Sequence, residues 1–77
     1  MEHTIPFLYV GQVIENVDDT VWRGPDSEWG ESADLTVRLV MRGIDPVIEP
    51  DYWVEVIDSV YGREHEIRAS YLAEYIG

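Results

Sequence analysis

The sequence predicts an all-β fold, a single antiparallel five-stranded barrel with one long acidic loop. Two features of the residue pattern predict it: apolar and polar residues alternate in several segments, and Gly, Pro and Asp residues separate these segments. The third observation is length, because 77 residues are expected to form one domain, residues 1–77, and are too few for two packed sheets of ordinary size. Strong twist and near-closure of one sheet would then protect its edge strands.

The central strands show the clearest alternation. Residues 35–43 carry apolar side chains at every second position, and only Val40 breaks the pattern. In residues 52–60, Tyr52 and Val54 share one face of a second predicted strand. Alternation with a period of two, together with β-branched residues, is typical of half-buried strands. Little of the chain has a helical pattern.

The flanking segments are predicted to supply the remaining strands. Residues 7–17 are strand-like, and Gly11 within them indicates a bulge or a sharp bend. Residues 63–68 are predicted to form a short strand after a tight turn at Gly62. Two prolines in residues 42–51 indicate a loop between the central strands.

The segment GREHEIRASYLAEYI, residues 62–76, resembles the end of SH3 domains. In that family a glycine turn leads into a short strand, a one-turn 3₁₀ helix that contains a Tyr, and a final strand. The resemblance implies a 3₁₀ turn near Ala69–Leu72, with Tyr71 within it, and a last strand that contains Tyr75 and Ile76. It extends upstream over most of the chain and implies an SH3-like barrel.

The resemblance also implies a place for a ligand. An aromatic groove of the kind that binds extended proline-rich segments would be lined by Tyr9, Tyr52 and Tyr71. Two positions depart from the family, because Tyr52 stands where a ligand-stacking Trp is usual and Arg68 stands where a Pro is usual. The resemblance therefore implies the barrel more directly than it implies a proline-rich ligand.

The acidic loop, residues 15–34, is the strongest candidate for a binding surface. It contains seven acidic residues and one Arg, a local charge of −6, in a chain whose net charge is −11. Carboxylates beside aromatic rings suit an interface, because Trp supplies buried area and carboxylates pair with Arg or Lys of a partner. The predicted partner-binding residues are Glu15, Asp18, Asp19, Trp22, Asp26, Glu28, Trp29, Glu31, Tyr52 and Tyr71.

Each of these features also has a purely structural interpretation. The charges of the loop could serve only to keep the protein soluble. Trp22, which follows Val21, could pack inward and anchor the loop, and the same alternative applies to Trp29. Tyr71 could pack over the end of the barrel with its hydroxyl bonded to solvent or backbone.

Catalytic and metal chemistry find little support in the sequence. The chain has no Cys, no Lys and two His, which removes most nucleophiles and bases. His65 alternates with Glu64 and Glu66, so the two carboxylates project from the opposite face of the strand and do not complete a metal site. We expect His65 to be structural or solvated, and we expect no enzyme activity, no cofactor and no metal.

The leading hypothesis is therefore a non-catalytic protein-binding module whose partner has a basic surface. One alternative is a DNA-mimic inhibitor, of the type that phages encode, directed at a nucleic-acid-binding enzyme of host defence or repair. Another is a structural subunit of a larger assembly. The charge of −11 argues against direct binding to nucleic acid or to an anionic membrane. No signal peptide and no membrane span are predicted, so a cytoplasmic location is expected.

Overall fold

A computed structural model describes residues 5–28, 30–41 and 51–76 of the chain. The elements are strand β1 (Val13–Asp18), helix α1 (Asp19–Trp22), strands β2 (Ser32–Met41), β3 (Trp53–Asp58) and β4 (Glu64–Arg68), and a 3₁₀ helix (Ala69–Tyr75). The strands form one antiparallel sheet in the order β1-β2-β3-β4, so each strand pairs with its neighbours in sequence. The prediction of a mainly β fold is confirmed.

The prediction of a closed five-stranded barrel is wrong, because the described residues form an open sheet of four strands. The segment before β1 is irregular, with a turn at Val10 and Gly11. The 3₁₀ helix continues to Tyr75 and replaces the expected last strand at Tyr75 and Ile76. Closure would need the first and last strands to pair. Instead the 3₁₀ helix packs beside β1, and the Asp18 backbone N–H donates to the Tyr75 hydroxyl over 3.4 Å.

One face of the sheet covers the hydrophobic core. Leu35 and Val37 of β2, Val54 and Val56 of β3 and Ile67 of β4 are all buried. Burial of an aliphatic side chain contributes about 1.5–3 kcal/mol, so the alternating pattern decides which face of each strand turns inward. The other buried apolar residues are Leu8, Ile14, Val17, Trp22, Ala33, Tyr52, Ala69 and Leu72.

A bulge in β2 explains the one break in its sequence pattern. The pairing of β2 with β3 shifts between Val37 and Leu39, and beyond the shift Val40 pairs with Val54. A one-residue shift exchanges the two faces of a strand. Leu39 is therefore exposed and Val40 packs partly against the core, so the predicted alternation holds only as far as the bulge.

A second bulge lies in β1, where the pairing with β2 shifts between Ile14 and Val17. Asn16 within it has a φ of +52°, a left-handed conformation that Asn adopts more readily than most residues. Its backbone N–H donates to Oδ1 of Asp34 on β2 over 3.0 Å. Asp34, a member of the acidic loop, therefore has a local structural partner.

The segment before β1 lies against the core without forming a strand. The buried Tyr52 hydroxyl donates to the carbonyl oxygen of Pro6 (2.5 Å) and accepts a hydrogen bond from the backbone N–H of Leu8 (3.0 Å). Leu8 is buried beneath these contacts. Gly11, which follows, has a φ of +95°, and its backbone N–H donates to the carbonyl of Val37. The predicted bend at Gly11 is thus a turn that leads the chain onto the edge of β2.

Among the described residues, no helix has the length and apolarity needed to cross a membrane. The loop predicted for residues 42–51 lies outside the described part of the chain, except for Asp51.

Candidate functional site

The acidic loop folds back onto the body of the protein. It starts in β1 and ends in β2, and between them it forms the four-residue helix α1, which the sequence pattern did not predict. Asp18 caps this helix, because its Oδ1 accepts hydrogen bonds from the backbone N–H (2.9 Å) and the hydroxyl (2.8 Å) of Thr20. The position of α1 therefore follows directly from an Asp-Asp-Thr sequence at the end of β1.

Two buried residues fix the rest of the loop. Asp19 accepts hydrogen bonds at Oδ2 from the Ser27 hydroxyl (2.6 Å) and from the backbone N–H of Gly30 (2.9 Å). The indole N–H of Trp22 donates to the carbonyl of Val17 over 3.1 Å. The carboxylate of Asp19 thus holds Ser27 and Gly30 beside α1, and the ring of Trp22 ties α1 to β1.

A groove separates this loop from the 3₁₀ helix, with a volume of about 840 Å³. Thr20, Val21, Gly24 and Pro25 line it on the loop side. Ser70, Tyr71, Ala73 and Glu74 line it on the side of the 3₁₀ helix. The floor is mostly apolar, and Glu74 is the charged side chain among these described residues. We call this depression the groove.

The helix side of the groove is held in place by Asp51. Its Oδ1 accepts hydrogen bonds from the backbone N–H groups of Tyr52 (2.8 Å) and Ser70 (3.1 Å), and its Oδ2 accepts one from the Ser70 hydroxyl (2.5 Å). These bonds join the two residues before β3 to the first turn of the 3₁₀ helix. Tyr71 follows Ser70 and is 58% exposed, so its ring is available at the groove.

A second depression lies on the other side of the Gly24–Pro25 turn, with a volume of about 590 Å³. The loop contributes Trp22, Arg23, Asp26 and Ser27 to its lining, together with the turn itself. The β3–β4 hairpin contributes Asp58, Tyr61, Arg63 and His65. We call this depression the cationic cleft, because it brings two arginines and the described histidine together.

Asp58 organises the hairpin end of the cationic cleft. It is 1% exposed and accepts hydrogen bonds from the backbone N–H groups of Tyr61, Gly62 and Arg63 and from Nε2 of His65, the last over 2.6 Å. Burial by itself raises the pKa of the Asp58 carboxyl, but the hydrogen bonds from Tyr61, His65 and Arg63 outweigh it. The net effect is a pKa below the usual value, so Asp58 is ionised at neutral pH.

Aromatic rings hold the cationic groups of the cleft. The Trp22 ring meets the His65 ring edge to face, with centroids 5.5 Å apart. The guanidinium carbon of Arg23 lies 4.8 Å from the centroid of the Tyr61 ring and 5.3 Å from that of Trp22. Such cation–π contacts are worth about 0.5–2 kcal/mol, and they orient the Arg23 side chain toward the hairpin.

The sequence-predicted binding residues fall into distinct groups. Glu15, Asp18, Asp26, Glu28 and Tyr71 are exposed, and Glu31 is half-buried. Asp19, Trp22 and Tyr52 are buried, and Trp29 lies outside the described residues. The structure therefore brings Tyr71 and the loop together along one groove, whereas Asp26 and Trp22 border the cationic cleft.

Three of the predicted binding residues are buried in the structure. Asp19 and Trp22 use their polar atoms to fold the loop, as the structural alternative for Trp22 expected. The Tyr52 hydroxyl fastens residues 6 and 8 to the core, so Tyr52 does not form an open aromatic groove with Tyr9 and Tyr71. The physical reason is that Tyr52 directly precedes β3 and is in phase with its buried residues Val54 and Val56.

The cationic cleft was not predicted from the sequence. The alternating patterns of β3 and β4 do contain a signal for this cleft. Asp58 lies on the buried face of β3, and His65 lies on the same face of β4 as the buried Ile67. Val56 pairs with His65, which makes Asp58 the diagonal neighbour of that histidine. No local pattern, however, indicates that Arg23 approaches the same hairpin from the acidic loop.

The described residues contain no group of three or more His, Cys, Asp or Glu side chains arranged to hold a metal ion. The one described histidine donor is occupied by Asp58 through Nε2.

Comparison of this chain with protein-family models, with curated proteins and with solved structures finds no significant match. The SH3-like relationship stays a prediction from the resemblance of residues 62–76.

Proposed function

We propose that this chain is a non-catalytic protein-binding module that holds a basic segment of a partner protein in the groove. The observation that supports the proposal is the meeting of the acidic loop with the 3₁₀ helix. They form one depression whose lining is mostly apolar, whose exposed aromatic residue is Tyr71 and whose charged residue is Glu74. Apolar walls give an extended segment area to bury, and carboxylates select a segment that carries Arg or Lys.

The surroundings of the groove favour the same partner. Asp18, at the start of α1, is exposed, and its loop carries further exposed carboxylates at Asp26 and Glu28. Arg23, the cation of this loop, lies over Tyr61 and Trp22 on the side of the cationic cleft. A basic partner would be attracted by the net charge of −11 and then oriented by Tyr71.

The test begins with capture of partners from an extract of the source organism on the immobilised protein. The affinity of a captured partner is then measured for the wild type and for Tyr71→Ala and Glu74→Gln. We expect Tyr71→Ala to weaken binding about tenfold or more, because exposed Tyr anchors are common hot spots. We expect Glu74→Gln to slow association, and the wild-type association rate to fall as salt is raised.

Two matched variants serve as controls. Tyr9→Ala removes an equally exposed tyrosine that does not line the groove, and Glu66→Gln removes an exposed carboxylate on β4. Both are expected to bind like the wild type. An association rate that ignores ionic strength, or equal losses in Tyr71→Ala and Tyr9→Ala, would contradict the proposal.

The same measurements separate the alternatives. Release of the captured partner by duplex DNA would favour a DNA-mimic inhibitor of a nucleic-acid-binding enzyme. A large homogeneous oligomer in light scattering would favour a structural subunit of an assembly. The groove proposal expects neither result.

A further inference from the structure

We propose that the cationic cleft is a separate binding site for a small anionic group, a phosphate or a carboxylate, with Arg23 and Arg63 as the binding residues. The cleft lies on the opposite side of the Gly24–Pro25 turn from the groove. The inference does not depend on the function proposed for the groove, because the two depressions use different side chains.

The distribution of positive charge supports this site. The structure describes four arginines and one histidine, and three of these five side chains line this one cleft. Arg38 is paired with Glu64 at 2.9 Å on the outer face of the sheet, and Arg68 lies over the Trp53 ring. In a chain with sixteen acidic residues, such a concentration of basic side chains departs from the average surface.

One of the two binding arginines, Arg23, and the neighbouring His65 are held before any ligand arrives. Stacking on Tyr61 fixes the Arg23 guanidinium, and the Asp58 carboxylate and the Trp22 ring fix the imidazole of His65 from two directions. Preorganised donors lose less side-chain entropy when they bind a ligand. The planar guanidinium fork matches the paired oxygens of phosphate and carboxylate, which defines the chemical class of ligand.

The negative charge of Asp58 does not prevent the cleft from binding an anion. The carboxylate is buried and accepts hydrogen bonds from three backbone N–H groups as well as from His65, so it faces donors on several sides. Asp26 is the opposing charge, because it lines the cleft and is exposed. Its removal should therefore strengthen the binding of an anion.

The experiment is a titration of the ¹⁵N-labelled full chain with sodium phosphate and, separately, with sodium acetate at pH 7. Sodium chloride keeps the ionic strength constant, so that general screening does not change. We expect saturable shifts of the Trp22 indole N–H and of backbone amides in residues 61–65. Saturation by phosphate alone would identify a phosphorylated ligand, and equal saturation by acetate would identify a carboxylate.

Variants decide whether the cleft is the site. Arg63→Ala is expected to weaken the saturable binding about tenfold, because one charge-assisted contact is lost. Asp26→Asn is expected to tighten binding, and Arg38→Ala, which removes an arginine that pairs with Glu64 and does not line the cleft, is expected to leave it unchanged. Arg63 is exposed, so its replacement does not endanger folding.

Two outcomes would overturn the proposal. One is a shift that never saturates with either anion. The other is an equal loss in Arg63→Ala and Arg38→Ala, which would indicate general charge and not a site. Anion binding that persists in Tyr71→Ala would show that this site stands independently of the groove.

Discussion

The groove and the cationic cleft share the Gly24–Pro25 turn as a common wall, yet they differ in charge and in the way their side chains are held. The groove has apolar walls, an exposed tyrosine and a glutamate. The cleft has two arginines, a histidine and a buried aspartate tied to a hairpin. A net charge of −11 therefore does not determine the local charge of a site, because folding can bring a few basic side chains together.

The two depressions also depend on different aspartates. Asp51 joins the 3₁₀ helix to the segment just before β3 beside the groove, and Asp58 closes the β3–β4 hairpin beside the cleft. Asp19 lies between them and holds the loop that both depressions share. Carboxylates that sequence composition assigns to the solvated surface therefore build the walls of both sites. Replacing them one at a time is the direct way to separate the sites.

The largest expected effect is on the cleft. Asp58→Asn should lower the free energy of unfolding by about 3 kcal/mol, because a buried acceptor of three backbone N–H groups and His65 becomes an amide that also presents donors. Urea unfolding followed by tryptophan fluorescence measures the change.

Glu64→Gln is the matched control for Asp58→Asn. It removes a carboxylate from the same hairpin, but one whose pairing with Arg38 is exposed, so a change of at most about 1 kcal/mol is expected. Equal destabilisation by the two variants would indicate that the buried hydrogen bonds of Asp58 contribute no more to stability than an exposed ion pair does.

The next effect tests the shared wall. Asp19→Asn should lower the free energy of unfolding by about 2 kcal/mol, because the Ser27 hydroxyl and the Gly30 N–H lose a charged acceptor. It should also weaken binding at both depressions. Asp26→Asn in the same loop is the control, since Asp26 is exposed, and a change within about 0.5 kcal/mol is expected. A loss at only one depression would show that the wall is not shared in function.

A smaller effect depends on pH. The pKa of Asp58 is lower in the folded protein than its usual value of 3.8, so its contribution to stability is complete above that value and is lost as pH falls through the folded pKa. The difference in unfolding free energy between wild type and Asp58→Asn should therefore shrink below about pH 4. Urea titrations at several pH values from 3 to 7 measure it, and a constant difference would contradict the assignment.

The smallest expected effect concerns the groove. Tyr71 is 58% exposed, so Tyr71→Ala should change the free energy of unfolding by less than about 0.5 kcal/mol while it weakens partner binding. Thermal unfolding followed by circular dichroism checks the first part. Strong destabilisation would mean that Tyr71 serves the fold, as its structural alternative states.

The sequence pattern predicted the parts of the fold that depend on local chemistry. The alternation around Val54 and in residues 64–67 placed the correct side chains inside, because only one of two faces can be buried. The resemblance also placed a 3₁₀ turn near Ala69–Leu72, where the structure has a 3₁₀ helix. The sequence pattern did not show that the sheet stays open, because barrel closure depends on contacts between the first and last elements of the chain.

Bulges show the limit of the pattern most clearly. Val40 appeared as a single violation in an otherwise regular strand, and the structure shows that it marks the shift of pairing that exposes Leu39. The shift arises from pairing with β3, which periodicity within one strand does not contain. The positive φ of Asn16 has the same origin, since Asp34 on β2 supplies the acceptor for its N–H.

Residue order alone was enough to predict a small, β-rich, strongly acidic chain, the inward face of its central strands, and an acidic segment next to aromatic residues. Three-dimensional packing was needed to show that Asp19, Trp22 and Tyr52 are interior. It was also needed to show that Arg23, Arg63 and His65 line one cleft together with Asp58. The physical reason is that hydrophobic alternation acts between neighbouring residues, whereas the partner of a buried charge is chosen across strands and loops. The net charge of the chain follows from its composition, but the local charge of each site depends on which side chains the fold brings together.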